Sequence, residues 1–213
     1  LVPPMKLIVN GDDPLSAYLA LMSGSDYVTY GISEPVHTGR NTQEIREGRF
    51  CRYCGTQLAY RFYHYGQLGD YHCPGCGFKR PELEFAGRNV ELYDGISFTV
   101  GGKWFRSSQR GYYNVYNILA AYAAVRTAGL KAGNFRKVLS DFHPKNGRME
   151  EFFAGDTRIL LNLAKNPTGF NQNIDVMMQD EAPKELVVVI NDNDQDGADI
   201  SWLWDVDFER LKG

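Results

Sequence analysis

Lys6-Leu-Ile-Val-Asn-Gly-Asp-Asp-Pro14 is the stretch that decides the fold. Lys6 to Asn10 is a short β-rich run, and Gly11-Asp12-Asp13-Pro14 stops it. Proline suits the first helical position, where its missing N–H has no partner to lose. Beyond it, Leu15, Tyr18, Leu19 and Met22 recur at helical spacing and predict a helix from about Pro14. Val28 to Gly31 reads as the next strand. Strand, helix, strand is the signature of an α/β fold.

Downstream lies the strongest chemical signal. All four cysteines fall in two Cys-x-x-Cys pairs, Cys51/Cys54 and Cys73/Cys76, each followed by glycine. Such turns aim two thiolates at one point, and two of them supply the tetrahedral sulfur set that Zn²⁺ prefers. The eighteen residues between the pairs fit that spacing. Disulfides belong mostly to oxidising compartments, and a redox pair needs no matched second copy. Four thiolates fill the tetrahedron, whereas catalytic zinc keeps an open position, so the site reads as structural. His64 and His72 lie nearby but are not needed as ligands; they read as surface or packing residues.

The module spans Gly48 to about Arg80, with Leu58 to Tyr65 strand-like inside it. Val90–Tyr93 and Ile96–Val100 flank Asp94-Gly95, a strong hairpin signal, and Gly101-Gly102 turns the chain into Lys103–Arg106. The clearest helix runs from Asn114 to about Ala128. Its apolar stripe is Val115, Ile118, Leu119, Tyr122 and Ala123, and Gly129 is a fitting stop. Phe135–Leu139 predicts a further helix, and a domain boundary is expected near Gly147. Thr157–Ala164 and Leu186–Ile190 read as buried strands. A helix near Asn171–Met178 between them would complete a βαβ unit.

The bulk numbers permit one or two packed domains: 213 residues, 43% hydrophobic and 13% aromatic. Net charge is −3, and the densest basic patch, Arg46, Arg49 and Arg52, sits beside Glu44 and Glu47. Nucleic-acid binding usually needs a basic face, so this balance argues against it. There is no apolar run of about 18 residues to span a membrane, and the first residues lack the form of a signal peptide. A cytoplasmic, reduced protein is expected.

Several motifs together carry a resemblance. Gly111-Tyr-Tyr-Asn-Val-Tyr-Asn-Ile-Leu-Ala-Ala-Tyr-Ala-Ala-Val125 resembles the Mur ligase motif in which a glycine and an Asn-x-x-Asn open an Ala-rich helix. Asn10-Gly11-Asp12-Asp13-Pro14 resembles the Asn-x-Asp-Asp-Pro turn of the Mur ligase central domain, and Gly147-Arg148-Met149-Glu150 the Gly-Arg-x-Glu junction that leads into the C-terminal domain. Lys165-Asn-Pro-Thr-Gly-Phe-Asn171 sits where those ligases carry a lysine loop near the phosphates. The four-cysteine ribbon and the tail Asp196-Gly-Ala-Asp-Ile-Ser-Trp-Leu-Trp-Asp205 are similar to one branch of the family, the MurT-like ligases.

The resemblance implies an α/β architecture. Residues 1–147 would be the later part of a Mur ligase-type central domain, with a four-cysteine zinc ribbon inserted at about 48–80. Residues 148–213 would begin a Rossmann-like C-terminal α/β domain. It also implies ATP and Mg²⁺, with Asn117, Asn114, Arg148 and Lys165 toward the nucleotide. An amide donates and accepts at once, as reading an adenine edge requires. On spacing alone, a helix cap is the simpler reading of Asn114. The implied reaction is activation of the D-glutamate α-carboxylate of lipid II, at the inner face of the membrane, for amidation to D-isoglutamine. Ammonia would come from a GatD-like glutamine amidotransferase. A tail aspartate would complete the partner's glutaminase triad, with Asp199, Asp196 and Asp205 the candidates and Asp199 preferred.

Asp192-x-Asp194-x-Asp196-Gly197 also opens like an EF-hand loop, but Leu203 at the twelfth position cannot supply the bidentate carboxylate. No Gly-x-x-x-x-Gly-Lys-[Ser/Thr] loop occurs in the 213 residues. They therefore read as a fragment without ATPase activity of its own. The rival reading is a zinc-ribbon module that contacts nucleic acid or protein without catalysis. It leaves the Asn114/Asn117 helix and the tryptophan-rich tail unexplained. A Mur-type ligase that adds an amino acid fits the ribbon and the tail less well.

Overall fold

In the computed structural model, the first strand, β1 (Lys6–Asn10), ends where Asp13 caps helix α1 (Pro14–Ser23), accepting from the amides of Leu15 and Ser16. Residues 5–36, 48–93, 95–143, 147–191 and 199–211 are described. The chain divides into two compact units, Leu1–Phe142 and His143–Gly213. Asp94, Asp196, the Asp192-to-Asp196 acidic run, and Arg46 with Glu44 and Glu47 lie outside the described residues.

In the first unit, β2 (Asp26–Ile32) runs parallel to β1, as the strand–helix–strand reading requires. β5 (Phe85–Glu91) adds on parallel to β2, and β6 (Ile96–Val100) and β7 (Lys103–Ser107) follow antiparallel. The order is β1-β2-β5-β6-β7. Gly101 and Gly102 both have positive φ, 56° and 71°, as the tight β6–β7 turn demands.

Between β2 and β5 sits the cysteine module, built on the hairpin β3 (Ala59–Tyr65) and β4 (Leu68–His72). Helix α2 (Tyr112–Thr127) covers the five-stranded sheet. Its buried stripe of Val115, Ile118, Leu119 and Tyr122 packs with Ile32, Ile96, Phe98, Val100 and Phe105. Complete burial of one such aliphatic side chain contributes about 1.5–3 kcal/mol. α2 ends as expected at Gly129, with φ 74°. The Leu130 amide donates to Val125 and the Gly129 amide to Arg126, which satisfies the last carbonyls. A single turn at Ala132–Asn134 leads into α3 (Phe135–Asp141).

The second unit departs from the expected βαβ pattern. β8 (Arg148–Ala154) and β9 (Thr157–Asn162) form an antiparallel hairpin turned at Gly155, φ 60°. β9 is mostly exposed rather than buried. Helix α4 (Pro167–Gln179) follows, capped by Asn166. Leu186–Ile190 forms no ladder among the described residues, and its apolar side chains are exposed. A strand exists only where a neighbour takes its N–H and C=O groups. Here β9 pairs locally with β8, so β-branched composition alone does not make 186–190 a strand. No parallel pair, and hence no Rossmann-type sheet, occurs among this unit's described residues.

Candidate functional site

The two Cys-x-x-Cys turns fold alike. The Gly55 amide donates to the Cys51 carbonyl at 2.8 Å and the Gly77 amide to Cys73 at 3.0 Å, with φ of 74° and 77° at the two glycines. The Cys51 amide donates back to Thr56 and that of Cys73 to Phe78, closing each knuckle. Cys51 and Cys73 are buried; Cys54 and Cys76 are exposed. The four Sγ atoms lie within 4.8 Å of one another, with Cys51–Cys76 at 3.5 Å and Cys54–Cys73 at 3.4 Å. Tetrahedral metal–sulfur bonds of about 2.3 Å put sulfurs about 3.8 Å apart, so the four thiols are placed to hold a metal ion. Thr56, through its hydroxyl and its amide, holds the Cys54 thiol down to about 6. Tyr53 of the first knuckle packs edge-on against Tyr18 of α1, ring centroids 4.9 Å apart. His72 is exposed and neither histidine belongs to the cluster.

His64 is not a surface residue. It is buried in a polar network that the sequence patterns do not signal. Asp12, with no exposed surface, is the hub. Its Oδ2 accepts from the Ile32 amide at 2.7 Å and from the Tyr116 hydroxyl at 2.7 Å; its Oδ1 accepts from Arg80 at 3.0 Å. His64 Nδ1 lies 2.6 Å from the Tyr116 hydroxyl, and Nε2 lies 2.9 Å from the Glu34 carbonyl. Arg80 also donates to the Ile32 carbonyl, pairs with Asp70 at 3.4 Å, and stacks over Phe62. Burial pushes the Asp12 carboxyl up to about 6, against the lowering effect of the Ile32 amide and Arg80. Burial likewise drives His64 down to about 4. The network joins the turn after β1, the cysteine module and α2. The only sequence sign of it was Asp12 in the Asn-x-Asp-Asp-Pro turn.

Asn114 does not cap α2. The cap position is Gly111, φ 83°, with no side-chain hydrogen bond to the helix. Asn114 is the third helical residue and is buried; its Nδ2 donates back to the Arg110 carbonyl at 2.8 Å. Its Oδ1 accepts from Asn117 Nδ2 at 3.2 Å, and Asn117 is exposed. The pair therefore presents one oriented amide at the outer face of the first turns of α2.

Arg148 and Lys165 are exposed and belong to the second unit. Lys165 immediately precedes Asn166, the α4 cap. In the tail, Asp199 accepts from the Ser201 amide at 2.8 Å, and the Ser201 hydroxyl and amide hold its carboxyl below the ordinary range. Asp205 ends the short helix Ser201–Asp205 and is exposed. Trp204 in that helix is 89% exposed. The tail is anchored on α4, where Asn171 bonds the Asp205 carbonyl and the Asp207 amide, and Asp175 pairs with Arg210.

Similarity to known proteins runs over nearly the whole chain. It is 35% identical to the MurT subunit of the glutamine-hydrolysing lipid II isoglutaminyl synthase of Staphylococcus aureus, over 97% of this chain and 47% of that one. The Streptococcus pneumoniae MurT subunit matches at 35% over 99% of this chain and 47% of its own. Residues 163–213 match the MurT ligase C-terminal family. A pseudomurein peptide ligase type C from Methanothermus fervidus superposes with a TM-score of 0.64 at 30% identity, covering 84% of this chain and 35% of that one. MurF from Acinetobacter baumannii shares the fold at 15% identity, with a TM-score of 0.54 over 85% of this chain and 31% of its own. The chain spans about half the length of the curated relatives it matches.

Proposed function

We propose that this chain is part of a MurT-type amide ligase subunit in peptidoglycan synthesis. The observation that carries the proposal is 35% identity to MurT subunits over 97% of the chain. The match of residues 163–213 to the MurT C-terminal family supports it at the tail. In this reading a carboxylate oxygen of the D-glutamate unit of lipid II attacks the γ-phosphorus of ATP, and ADP leaves. Ammonia then attacks the acyl carbon and phosphate departs, leaving D-isoglutamine and a proton. A GatD-like glutaminase supplies the ammonia.

The chain's own residues take the following parts. The oriented Asn114/Asn117 pair reads the adenine edge. Arg148 and Lys165 neutralise charge that develops on the transferring phosphoryl group. A tail aspartate, Asp199 before Asp196 and Asp205, orients and stabilises the imidazolium of the partner's glutaminase histidine. The ion held by Cys51, Cys54, Cys73 and Cys76 is zinc, and it supplies structure rather than chemistry because four thiolates leave no open position.

Co-production of the full-length protein with a glutaminase subunit tests this. A stable complex and glutamine-dependent amidation of lipid II are expected. Transfer of an amino acid instead of ammonia would favour a second reading, a peptide-forming Mur-type ligase, to which the 30% identity with the pseudomurein peptide ligase lends weight. Salt-dependent binding to DNA or RNA, with no ligation, would favour the non-catalytic ribbon. The 213 residues by themselves, lacking a Gly-x-x-x-x-Gly-Lys-[Ser/Thr] loop, are expected not to turn over ATP.

A further inference from the structure

The N-terminal end of α2 is not held by a cap of its own. Gly111 offers no side chain, and among the buried residues of the first two turns Tyr112 and Tyr116 lie one helical turn apart. Both reach the cysteine module. The His64 ring stacks on Tyr112 with centroids 6.0 Å apart, and its Nδ1 meets the Tyr116 hydroxyl. Tyr65, the next residue of β3, packs edge-on against Tyr116 at 5.9 Å. His64 is itself fixed at its other nitrogen by the Glu34 carbonyl. On the far side Arg80, one residue past the His72–Lys79 bridge that closes the second knuckle, grips Asp12, which in turn accepts from Tyr116.

We infer that the cysteine module braces the first turns of α2, with His64, Arg80 and Tyr116 as positioning residues for the Asn114/Asn117 amide pair. The inference rests on the nucleotide-contact reading of those asparagines. Asn117 immediately follows Tyr116 and faces outward, so any slip or rotation of Tyr116 displaces the amide. An apolar contact tolerates sliding, because the hydrophobic effect has no direction. Directional polar contacts of 2.6–3.0 Å, with Asp12 gripped by Arg80 and the His64 ring held through Nε2 while both face the one Tyr116 hydroxyl, do not. The metal ion organises the two knuckles, the knuckles hold the β3–β4 hairpin and Arg80, and these hold α2. The module's contribution to the reaction is thus the position of a helix that it flanks.

The test uses the full-length protein in complex with its glutaminase subunit. Amide hydrogen exchange over residues 112–118 is compared with metal bound, after chelation, and in Tyr116→Phe. Exchange about tenfold faster or more is expected in the latter two states, the signature of local opening. Unchanged protection after chelation and in the variant overturns the brace. In steady state, Tyr116→Phe and His64→Leu should raise the ATP KM about three- to tenfold and leave kcat within about twofold, the pattern of lost uniform binding. His64→Gln, which keeps a donor and an acceptor, should recover part of the loss. Asn117→Ala separates the two ideas. If it leaves the ATP KM unchanged, the nucleotide reading of the asparagines fails while the exchange data still decide the brace. If it raises KM but Tyr116→Phe and His64→Leu do not, the positioning role fails.

Discussion

Asp12 in the turn after β1 accepts a 2.7 Å hydrogen bond from the hydroxyl of Tyr116, 104 residues further along the chain on α2. The Tyr116 hydroxyl has one proton, yet it also faces His64 Nδ1 at 2.6 Å. His64 Nε2 faces a carbonyl, which only accepts, so that nitrogen carries the other ring hydrogen. With Asp12 ionised and His64 neutral, two acceptors compete for one hydroxyl proton. One added proton, on Asp12 or on His64 Nδ1, satisfies every link.

Opposed pH effects follow from this pair. The Asp12 pKa is raised to about 6 from 3.8, so its contribution is fully present below 3.8 and is lost as pH rises through 6. The His64 pKa is lowered to about 4 from 6.5, so its contribution is present above 6.5 and is lost as pH falls through 4. Between pH 7 and 5 acidification strengthens the first and weakens the second, and the two nearly cancel. Asp12→Asn removes the first alone. Its unfolding free energy should then fall by roughly 1–2 kcal/mol more than wild type over that interval. Urea titrations at the two pH values read the difference; equal slopes for the two proteins would contradict the pairing.

Gly31 tolerates no side chain. A Cβ there would stand 2.6 Å from Asp12 Oδ1. The carboxylate is held by Ile32, Tyr116 and Arg80 and has nowhere to move. Gly31→Ala should cost more than about 2 kcal/mol in urea unfolding, by overpacking and by breaking a buried hydrogen-bond set. Gly133→Ala, which meets nothing within 4 Å, should stay within about 1 kcal/mol of wild type.

Loss of the metal centre should be local. Structural zinc contributes roughly 10–16 kcal/mol of binding free energy in small finger peptides. Cys54→Ser should abolish the single bound ion, read by native mass spectrometry, and make residues 48–80 sensitive to protease. The sheet and the core around Leu119, Phe98 and Phe105 do not depend on the thiolates and should survive, with any loosening of α2 confined to its first turns. A module that remains protease-resistant after chelation would remove the case for structural metal.

Asp199 already has an intramolecular partner, the Ser201 amide. If it also serves a neighbouring glutaminase, Asp199→Asn should abolish glutamine-dependent amidation but leave amidation with free ammonia within about twofold, since only the imidazolium-stabilising charge is lost. Equal rates with glutamine and ammonia in the variant would leave Asp199 as a turn residue and direct attention to Asp205 and Asp196.

Much of the first unit was legible before folding because its signals are local. Pro14 after Asp13, Gly101-Gly102 between two strands, the Val115–Ala123 stripe and Gly129 each act within a few residues, and each took its expected place. The paired knuckles were legible for the same reason, since Cys-x-x-Cys-Gly is itself a turn. Leu186–Ile190 misled because composition records a preference, whereas a strand needs a neighbour. Asn114 misled because spacing cannot distinguish the residue before a helix from the third residue inside it.

By itself, then, the sequence determined the α/β beginning, the thiolate set and the helix that carries Asn117, all through contacts short along the chain. Only the tertiary structure decided that Asp12, His64, Arg80 and Tyr116 meet. Their hydrogen bonds span 52, 68 and 104 residues. No local periodicity encodes such partners, because a buried polar group finds its match through the fold that encloses it.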